Sequence, residues 1–483
     1  MDCLLGIDIG TAGTKSILFT TNGDYVDTDY IPYSITYPSE GLAEQNPEDW
    51  WLALVTTVKN ILSRNNGANV LAMSLSTQGG CTLLLDESFR PICNAVSWLD
   101  SRAKETSGLM RTQIGEDELY RACGWPGING MNFATILWFK EKMPAIYNRT
   151  QFFASTVDYL NYRLTGVFTI DYSNLAMTSF LDLKKRDWSD KALAIAGLSR
   201  SKVSRIIPSG KVLGTLNAQA ANELGLPRDV SVVSGAHDQY CASIGAGAIE
   251  NGDCVLSTGT AWVLTVTSDT MLFNDSRTIH PCIHVLENKY GLLTTVPSGG
   301  NSLNWFQHTF RPDADFETLN SAAESVYPGC DNLQFIPQKV SGNNSGLFAN
   351  IDNSHSFNHF ARSVFEGVAL ANRRHLDAFS KSGISVSKVI MIGGGAKSFV
   401  WPQIVADVSN VPVIIPDQRE ASCTGAAMLA GVGSGTYPSI ETAVTRFIGG
   451  NKTICQPNER NVAVYAKKYR EFSAILDNTV LHQ

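Results

Sequence analysis

Several features that would place this chain in common functional classes are missing from its sequence. Its 483 residues include 38 Lys and Arg against 45 Asp and Glu, so no basic surface for nucleic acid or an anionic membrane is predicted. No apolar run reaches transmembrane length, and no basic segment followed by an apolar core opens the chain. We therefore predict no nucleic-acid partner and no membrane partner.

The ten cysteines show neither the spacing of a disulfide framework nor a C-x-x-C pair. Scattered cysteines of this kind are typical of reduced, buried thiols, which indicates a cytoplasmic protein. The chain is too long for one hydrophobic core, and 44% hydrophobic with 17% charged residues is typical of globular proteins. The length therefore predicts two large domains.

The first glycine-rich turn lies between an apolar strand, residues 4–9, and a second one, residues 16–20. The turn carries neither G-x-x-x-x-G-K nor G-x-G-x-x-G, so it is not a common nucleotide-binding loop. It can still cradle a phosphate with backbone N–H groups, while Asp8 is placed to hold a phosphate-bound magnesium ion. An ordinary hairpin remains the alternative. The candidate phosphate contacts are Gly10, Thr11, Thr14 and Lys15.

A second strand–turn–strand segment, with Thr258, Gly259 and Thr260 in its turn, follows about half a chain length later. A repeat at that spacing indicates two related domains, each offering one phosphate hairpin to a shared cleft. Coincidence between two Gly/Thr turns is the alternative.

Two clusters are candidates for substrate contact. The corner Gln78-Gly79-Gly80 follows a predicted strand over residues 70–76, where α/β folds place ligand groups, although a plain turn explains it equally well. Trp98, Asp100 and Arg102 could bond hydroxyls and stack on a sugar, but such trios are common on surfaces.

Asp238 follows a predicted strand over residues 230–234 and precedes a predicted helix over residues 240–248. A carboxylate there could accept the proton of a bound hydroxyl, or it could cap the helix. His237, taken alone, is more typical of a structural residue.

The segment Gly393 to Ser398 follows the buried strand 389–392 and precedes a helix. Consecutive glycines allow a base or ribose to lie against the backbone, and the following helix start supplies donors. We favour a nucleotide site over structural glycines, with Gly394, Gly395, Ala396 and Ser398 as its contacts.

Together these segments resemble the FGGY carbohydrate kinases over residues 4–435. The motifs that carry the resemblance are Gly6 to Thr11, Gly235 to Asp238, Ser257 to Thr260 and Gly393 to Ala396, with a smaller match at Glu44 to Trp51 and the second family signature at His359 to Glu366. Within the family they are most similar to the xylulokinases.

The resemblance implies an α/β, two-domain actin-like ATPase (ribonuclease H-like) fold with an interdomain cleft. It implies ATP-dependent phosphorylation of a small sugar, a ketopentose such as D-xylulose, with ATP and Mg²⁺ as cofactors. Asp238 matches the general base, Asp8 the residue near magnesium, and Thr258 to Thr260 with Gly394 to Ser398 the nucleotide side. We divide the chain into an N-terminal domain over 1–245, a C-terminal domain over 246–435 and a helical extension over 436–483.

Three positions depart from the xylulokinase pattern. Gly80 stands where a sugar-binding histidine is usual, Thr135 stands where a lysine is usual, and the Glu-Arg pair expected near 340–342 is missing. The sugar could therefore be another ketose, a sugar acid, a tetritol or a pentitol.

Two other classes stay open. A chaperone-like ATPase would need a separate peptide-binding domain, for which no residues are left. A catalytically idle, ligand-sensing relative is disfavoured by the presence of both Asp8 and Asp238. A homodimer is one assembly compatible with the sequence.

Overall fold

The computed structural model describes residues 1–296, 299–340, 343–417, 420–450 and 452–480. Contacts within the chain divide it into two units, and each unit is assembled from separate stretches of sequence. The first unit comprises Met1–Ile249, Asp269–Gly291 and Glu420–Gly449, and the second comprises Glu250–Ser268, Leu292–Arg419 and Gly450–Gln483.

The strands, in chain order, are β1 Asp2–Ile9, β2 Gly13–Thr20, β3 Tyr25–Pro32, β4 Glu44–Gln45, β5 Asn69–Thr77, β6 Leu83–Leu85, β7 Ala95–Val96, β8 Phe152–Ala154, β9 Thr169–Ile170, β10 Leu181–Asp182, β11 Asp187–Trp188, β12 Arg205–Ile206, β13 Val212–Thr215, β14 Ser231–His237, β15 Cys254–Thr258, β16 Trp262–Ser268, β17 His280–Ile283, β18 Tyr290–Val296, β19 Gln334–Val340, β20 Asn343–Ala349, β21 Val389–Gly393, β22 Val413–Pro416 and β23 Lys452–Cys455.

The α-helices, in chain order, are α1 Pro47–Arg64, α2 Lys104–Ile114, α3 Glu116–Cys123, α4 Asn132–Lys142, α5 Pro144–Arg149, α6 Thr156–Thr165, α7 Tyr172–Ala176, α8 Asp190–Ala196, α9 Ala218–Leu224, α10 Asp238–Gly245, α11 Gly299–Phe310, α12 Phe316–Glu324, α13 Phe357–Lys381, α14 Trp401–Ser409, α15 Ala421–Gly433, α16 Ile440–Phe447 and α17 Glu459–Val480.

The main sheet of the first unit has the strand order β13-β14-β5-β1-β2-β3. Strands β1, β5 and β14 run parallel, whereas β2, β3 and β13 are antiparallel to their neighbours. In the second unit, β23, β22, β21, β15, β16 and β18 lie in that order in one sheet. Its parallel pairs are β15 with β21 and β21 with β22. The two sheets therefore repeat one strand order, in agreement with the predicted internal repeat.

Helix α1 shows how the sequence determines one element of the first unit. The Asn46 side chain accepts a hydrogen bond from the Glu48 N–H, and Pro47 occupies the first turn, as predicted. Trp50 and Trp51 are fully buried in the core beneath the sheet. The polar start and apolar face together place α1 on the sheet.

Helix α15 packs very closely on both the sheet and α10 within the first unit. A Cβ atom built on Gly6 of β1 would lie 1.9 Å from the carbonyl oxygen of Cys423. A Cβ atom on Gly425 would lie 1.9 Å from the carbonyl oxygen of Cys241 in α10. Backbones this close leave no room for a side chain, which accounts for the small residues of α15.

None of the helices within the described ranges is long and apolar enough to cross a membrane.

Candidate active site

The candidate residues of the first unit follow the carboxyl ends of three adjacent parallel strands. Ile9 of β1 is paired with Thr77 of β5, and Thr77 is paired with His237 of β14. Gly10, Gln78 and Asp238 come directly after these residues. They therefore begin at the same edge of the sheet, which is where α/β sheets bind ligands.

Asp8 is the acidic residue at the end of β1. Its Oδ1 atom accepts a hydrogen bond of 2.6 Å from the Ser76 hydroxyl. Burial raises the pKa of Asp8 to about 7, and the nearby negative charge of Asp238 contributes to the increase. The strand register places Asp8 and Asp238 at the same edge of the sheet, and the two negative charges repel each other there.

Asp238 is the first residue of α10, which begins there and not at the predicted Tyr240. The N-cap position belongs to His237 and makes no side-chain capping bond, so Asp238 does not cap the helix. Its Oδ1 atom is buried and has no hydrogen-bond partner within the described ranges. A carboxylate oxygen in this state is available to a ligand.

The turn between β1 and β2 is held by side chains from elsewhere in the unit. The Tyr33 hydroxyl donates to the Gly10 carbonyl at 2.7 Å, and the Gln45 amide donates to the Thr11 carbonyl at 2.9 Å. The Trp98 indole donates to the Thr11 hydroxyl at 3.1 Å. The turn is therefore positioned before any ligand binds, as a phosphate-binding loop requires.

The side chains of the two remaining candidates in this hairpin lie in different surroundings. The Thr14 side chain is fully buried, and its hydroxyl lies 3.5 Å from that of Tyr33. Lys15 pairs with Glu420 at 2.5 Å, and its charge lowers the pKa of Asp8. Of the two residues, Lys15 is therefore the one whose charge acts on the Asp8 carboxylate.

The Gln78-Gly79-Gly80 corner is connected to the hairpin through Gln45. The Gln78 Nε2 atom donates to Gln45 Oε1 at 3.0 Å, and the Gln78 N–H donates to the Ile9 carbonyl. Gln78 Oε1 is buried without a partner among the described residues. Gly80 has a φ of 75°, and a Cβ atom there would lie 2.9 Å from the Gly130 carbonyl oxygen, so a histidine would strain this backbone.

Trp98 lies at the candidate site, whereas the Asp100 carboxylate is bonded to other protein groups. Trp98 is 42% exposed beside the hairpin. Asp100 accepts hydrogen bonds from the Ala43 N–H at 2.6 Å and from the Arg102 guanidinium at 2.9 Å. Its two oxygens are satisfied by the protein, which favours a structural role for this carboxylate.

In the second unit, the Thr258 turn and the glycine segment lie side by side. Thr258 of β15 is paired with Gly393 of β21, and the Thr258 hydroxyl accepts from the Ala396 N–H at 3.2 Å. A Cβ atom on Gly395 would lie 2.9 Å from that hydroxyl oxygen, whereas one on Gly394 would meet nothing closer than 3.6 Å. Packing therefore explains Gly395, and Gly394 remains open to close approach.

The other nucleotide-side candidates also include both exposed residues and residues with a structural role. Gly259 and Thr260 are exposed in their turn, although their carbonyls accept from Gly300 and Asn301. The Ser398 hydroxyl is bonded to Asn320 and accepts from the Trp401 N–H at the start of α14. The exposed turn is thus free to contact a ligand, while Ser398 holds the following helix in place.

Sequence reasoning missed three residues that complete the site of the first unit. Ser76 binds Asp8, Gln45 joins the hairpin to Gln78, and Glu420 pairs with Lys15. Gln45 lies within the motif Glu44 to Trp51, so it could have been singled out. Ser76 and Glu420 carry no local signal, because their roles depend on strand register and on a distant helix.

Comparisons with known proteins show the family of the chain. Residues 3–245 match the N-terminal domain, and residues 254–434 the C-terminal domain, of the FGGY family of carbohydrate kinases. The chain is 29% identical to the xylulose kinase of Bacillus subtilis (strain 168), over 99% of this chain and 97% of that protein. It is 26% identical to the gluconokinase of the same strain, over 98% and 95% of the two chains.

A solved structure matches the fold of nearly the whole chain. The xylulose kinase from Lactobacillus acidophilus has a TM-score of 0.93 with 24% identity, covering 99% of both chains. This match confirms the predicted two-domain α/β fold and is consistent with the actin-like ATPase class. The family matches confirm the resemblance seen in the motifs: the chain belongs to the FGGY family of carbohydrate kinases and is a sugar kinase.

Proposed function

We propose that this kinase transfers a phosphoryl group from ATP to a hydroxyl of a small sugar, with Asp238 as the general base. The observation that carries the proposal is the buried Oδ1 atom of Asp238, which makes no hydrogen bond within the described chain. Asp238 follows the same edge of the sheet as Gln78, and its negative charge contributes to the raised pKa of Asp8. A buried acceptor that makes no hydrogen bond, beside a second carboxylate, suits a bound hydroxyl.

In the proposed reaction, Asp238 orients the attacking sugar hydroxyl and accepts its proton as the new O–P bond forms. The bond between the transferred phosphorus and the bridging oxygen of ADP breaks at the same time. The turn that follows Gly10 offers backbone donors to the phosphates, while the Gly10 N–H itself is bonded to the Gly13 carbonyl; donors held in place in this way stabilise charge without reorganisation. Gln78 Oε1 accepts from a further sugar hydroxyl.

The residues around Asp8 fit a divalent cation. The raised pKa of Asp8 reflects burial and the charge of Asp238, which the charge of Lys15 only partly offsets. Carboxylate oxygens are the ligands that Mg²⁺ prefers in proteins. We propose that Asp8 holds phosphate-bound Mg²⁺, and that the ion, when bound, neutralises charge on the phosphates.

On the nucleotide side, we propose contacts from Thr258, Gly259, Thr260, Gly394 and Ala396. The exposed turn of β15 and β16 and the open face of Gly394 support this assignment. Gly395 and Ser398 support the segment from behind, since one packs on Thr258 and the other holds α14.

A ketopentose such as D-xylulose is the first candidate substrate, because xylulose kinases recur among the relatives. A gluconokinase of similar identity supports a sugar acid as the second candidate. Gly80 leaves the corner without a side chain, which favours a sugar recognised mainly by Gln78 and Asp238. Residues 341–342, where the Glu-Arg pair is missing, lie outside the described residues.

ADP release with Mg²⁺, ATP and a panel of ketopentoses, other ketoses, sugar acids, tetritols and pentitols tests this proposal. We expect release to depend on the sugar and to be fastest with a ketopentose. Faster release with gluconate would change the substrate and keep the mechanism. No sugar-dependent release across the panel would favour the ligand-sensing alternative.

A further inference from the structure

His237 is the last residue of β14 and lies directly beside the proposed base. Its side chain is 9% exposed, and its Nε2 atom lies 3.3 Å from Asp238 Oδ1. Its Nδ1 atom is buried without a hydrogen-bond partner within the described ranges. An imidazole that only filled space in the core would not need to face a carboxylate.

The imidazole also explains a glycine of the substrate corner. A Cβ atom built on Gly79 would lie 2.7 Å from His237 Cδ2 and 2.9 Å from His237 Nε2. Gly79 does not have the positive φ that favours glycine elsewhere in the chain. The absence of a side chain at Gly79 therefore makes room for the ring, together with the side chain of Met177.

The backbone of His237 is also held by a hydrogen bond to a neighbouring segment. Its backbone N–H donates to the Ser173 hydroxyl at 2.9 Å, and Ser173 donates in turn to the buried Asp171 carboxylate. Its ring centroid lies 6.0 Å from that of Tyr240. The ring is thus confined between the Gly79 corner and Asp238.

We propose that His237 is a positioning residue for the phosphorylation: its Nε2–H, which lies 3.3 Å from Asp238 Oδ1 without a hydrogen bond in this structure, donates to the Asp238 carboxylate when the sugar is bound and holds it at the substrate corner. This inference rests on the proposed role of Asp238. An ionised carboxylate only accepts hydrogen bonds, so the imidazole proton belongs on Nε2 and Nδ1 remains an acceptor. Oδ1 makes no hydrogen bond to any described residue, and the His237 imidazole is the donor placed beside it.

His237→Phe and His237→Gln test the inference, because phenylalanine keeps the ring and glutamine keeps an N–H near the position of Nε2. We expect kcat to fall by about 10²-fold in the phenylalanine variant, the cost of misplacing a reacting group, with the KM for ATP unchanged. The glutamine variant should recover most of the loss. Equal kcat values for the two variants, with thermal unfolding similar to wild type, would overturn the positioning role.

Gly79→Ala provides a second variant if His237→Phe does not fold. The added methyl group would displace the imidazole from Asp238, so kcat should fall while His237 itself is intact. Normal kcat in this variant would also overturn the inference. Asp238→Asn separates the two proposals. If the asparagine variant is active, Asp238 is not the base. If it is inactive while His237→Phe is active, Asp238 remains the base and only the role of His237 is refuted.

Discussion

Asp238→Asn is the most direct test of the proposed mechanism. Asparagine keeps the size of the side chain and one acceptor oxygen, but it removes the proton acceptor. Loss of a positioned general base lowers kcat by about 10²–10⁴-fold, which corresponds to about 3–5 kcal/mol of transition-state free energy. The KM for ATP should change little, because the proposed nucleotide contacts come from other segments.

The structure limits the effect of this change on folding. Asp238 makes no capping bond, so at the start of α10 the substitution costs only the favourable interaction of its charge with the helix dipole, about 0.3–1 kcal/mol. Asp190→Asn is a matched control, because Asp190 is the first residue of α8 and pairs with Arg200 on an exposed surface. Initial rates of ADP release with saturating sugar measure kcat in both variants. Near-normal turnover of the Asp238 variant would refute the assignment of the base.

Three further predictions concern charge and packing. Asp8→Asn should abolish turnover at any Mg²⁺ concentration while thermal unfolding changes little, and a variant restored by excess Mg²⁺ would contradict the proposed role of Asp8. Burial raises the pKa of Asp158 from 3.8 to about 7, so the folded state holds this proton more tightly than the unfolded state does. The stability of the apoprotein should therefore fall as pH rises from about 4 to about 7, by up to about 4 kcal/mol, and denaturant unfolding of Asp158→Asn should lack this component. Gly425→Ala should lower the midpoint of thermal unfolding strongly, because its methyl group would lie 1.9 Å from the Cys241 carbonyl oxygen, whereas Gly67→Ala, with nothing within 4 Å, should not.

Local patterns were sufficient to predict the elements that carry the site. The strand–turn–strand segments around Gly10 and Gly259 are present, and Asn46 caps α1 as its sequence indicates. These elements depend on interactions between residues a few positions apart, which the sequence displays directly. The family resemblance then gave the two-domain fold and the kinase activity.

The relations between distant residues could not be predicted in this way. The proximity of Asp8 and Asp238 depends on the register of β1, β5 and β14. The close approach of His237 to Gly79 joins two strand ends that the sequence does not connect. Asp100 looked suited to a sugar hydroxyl, but only the structure shows that Ala43 and Arg102 already donate to it. Tertiary partners decide whether a polar side chain is free.

The first unit is assembled from separate stretches of sequence, which affects how it folds during synthesis on the ribosome. Strand β1 is among the first segments made, yet α15, which packs against Gly6, belongs to the stretch Glu420–Gly449. At about 5–20 residues per second, the roughly 170 residues between Ile249 and Glu420 take on the order of 10–30 seconds to translate. Throughout that interval the nascent sheet lacks the helix that covers it. Chaperones that bind exposed apolar surface would therefore meet this chain before it can close its own first core.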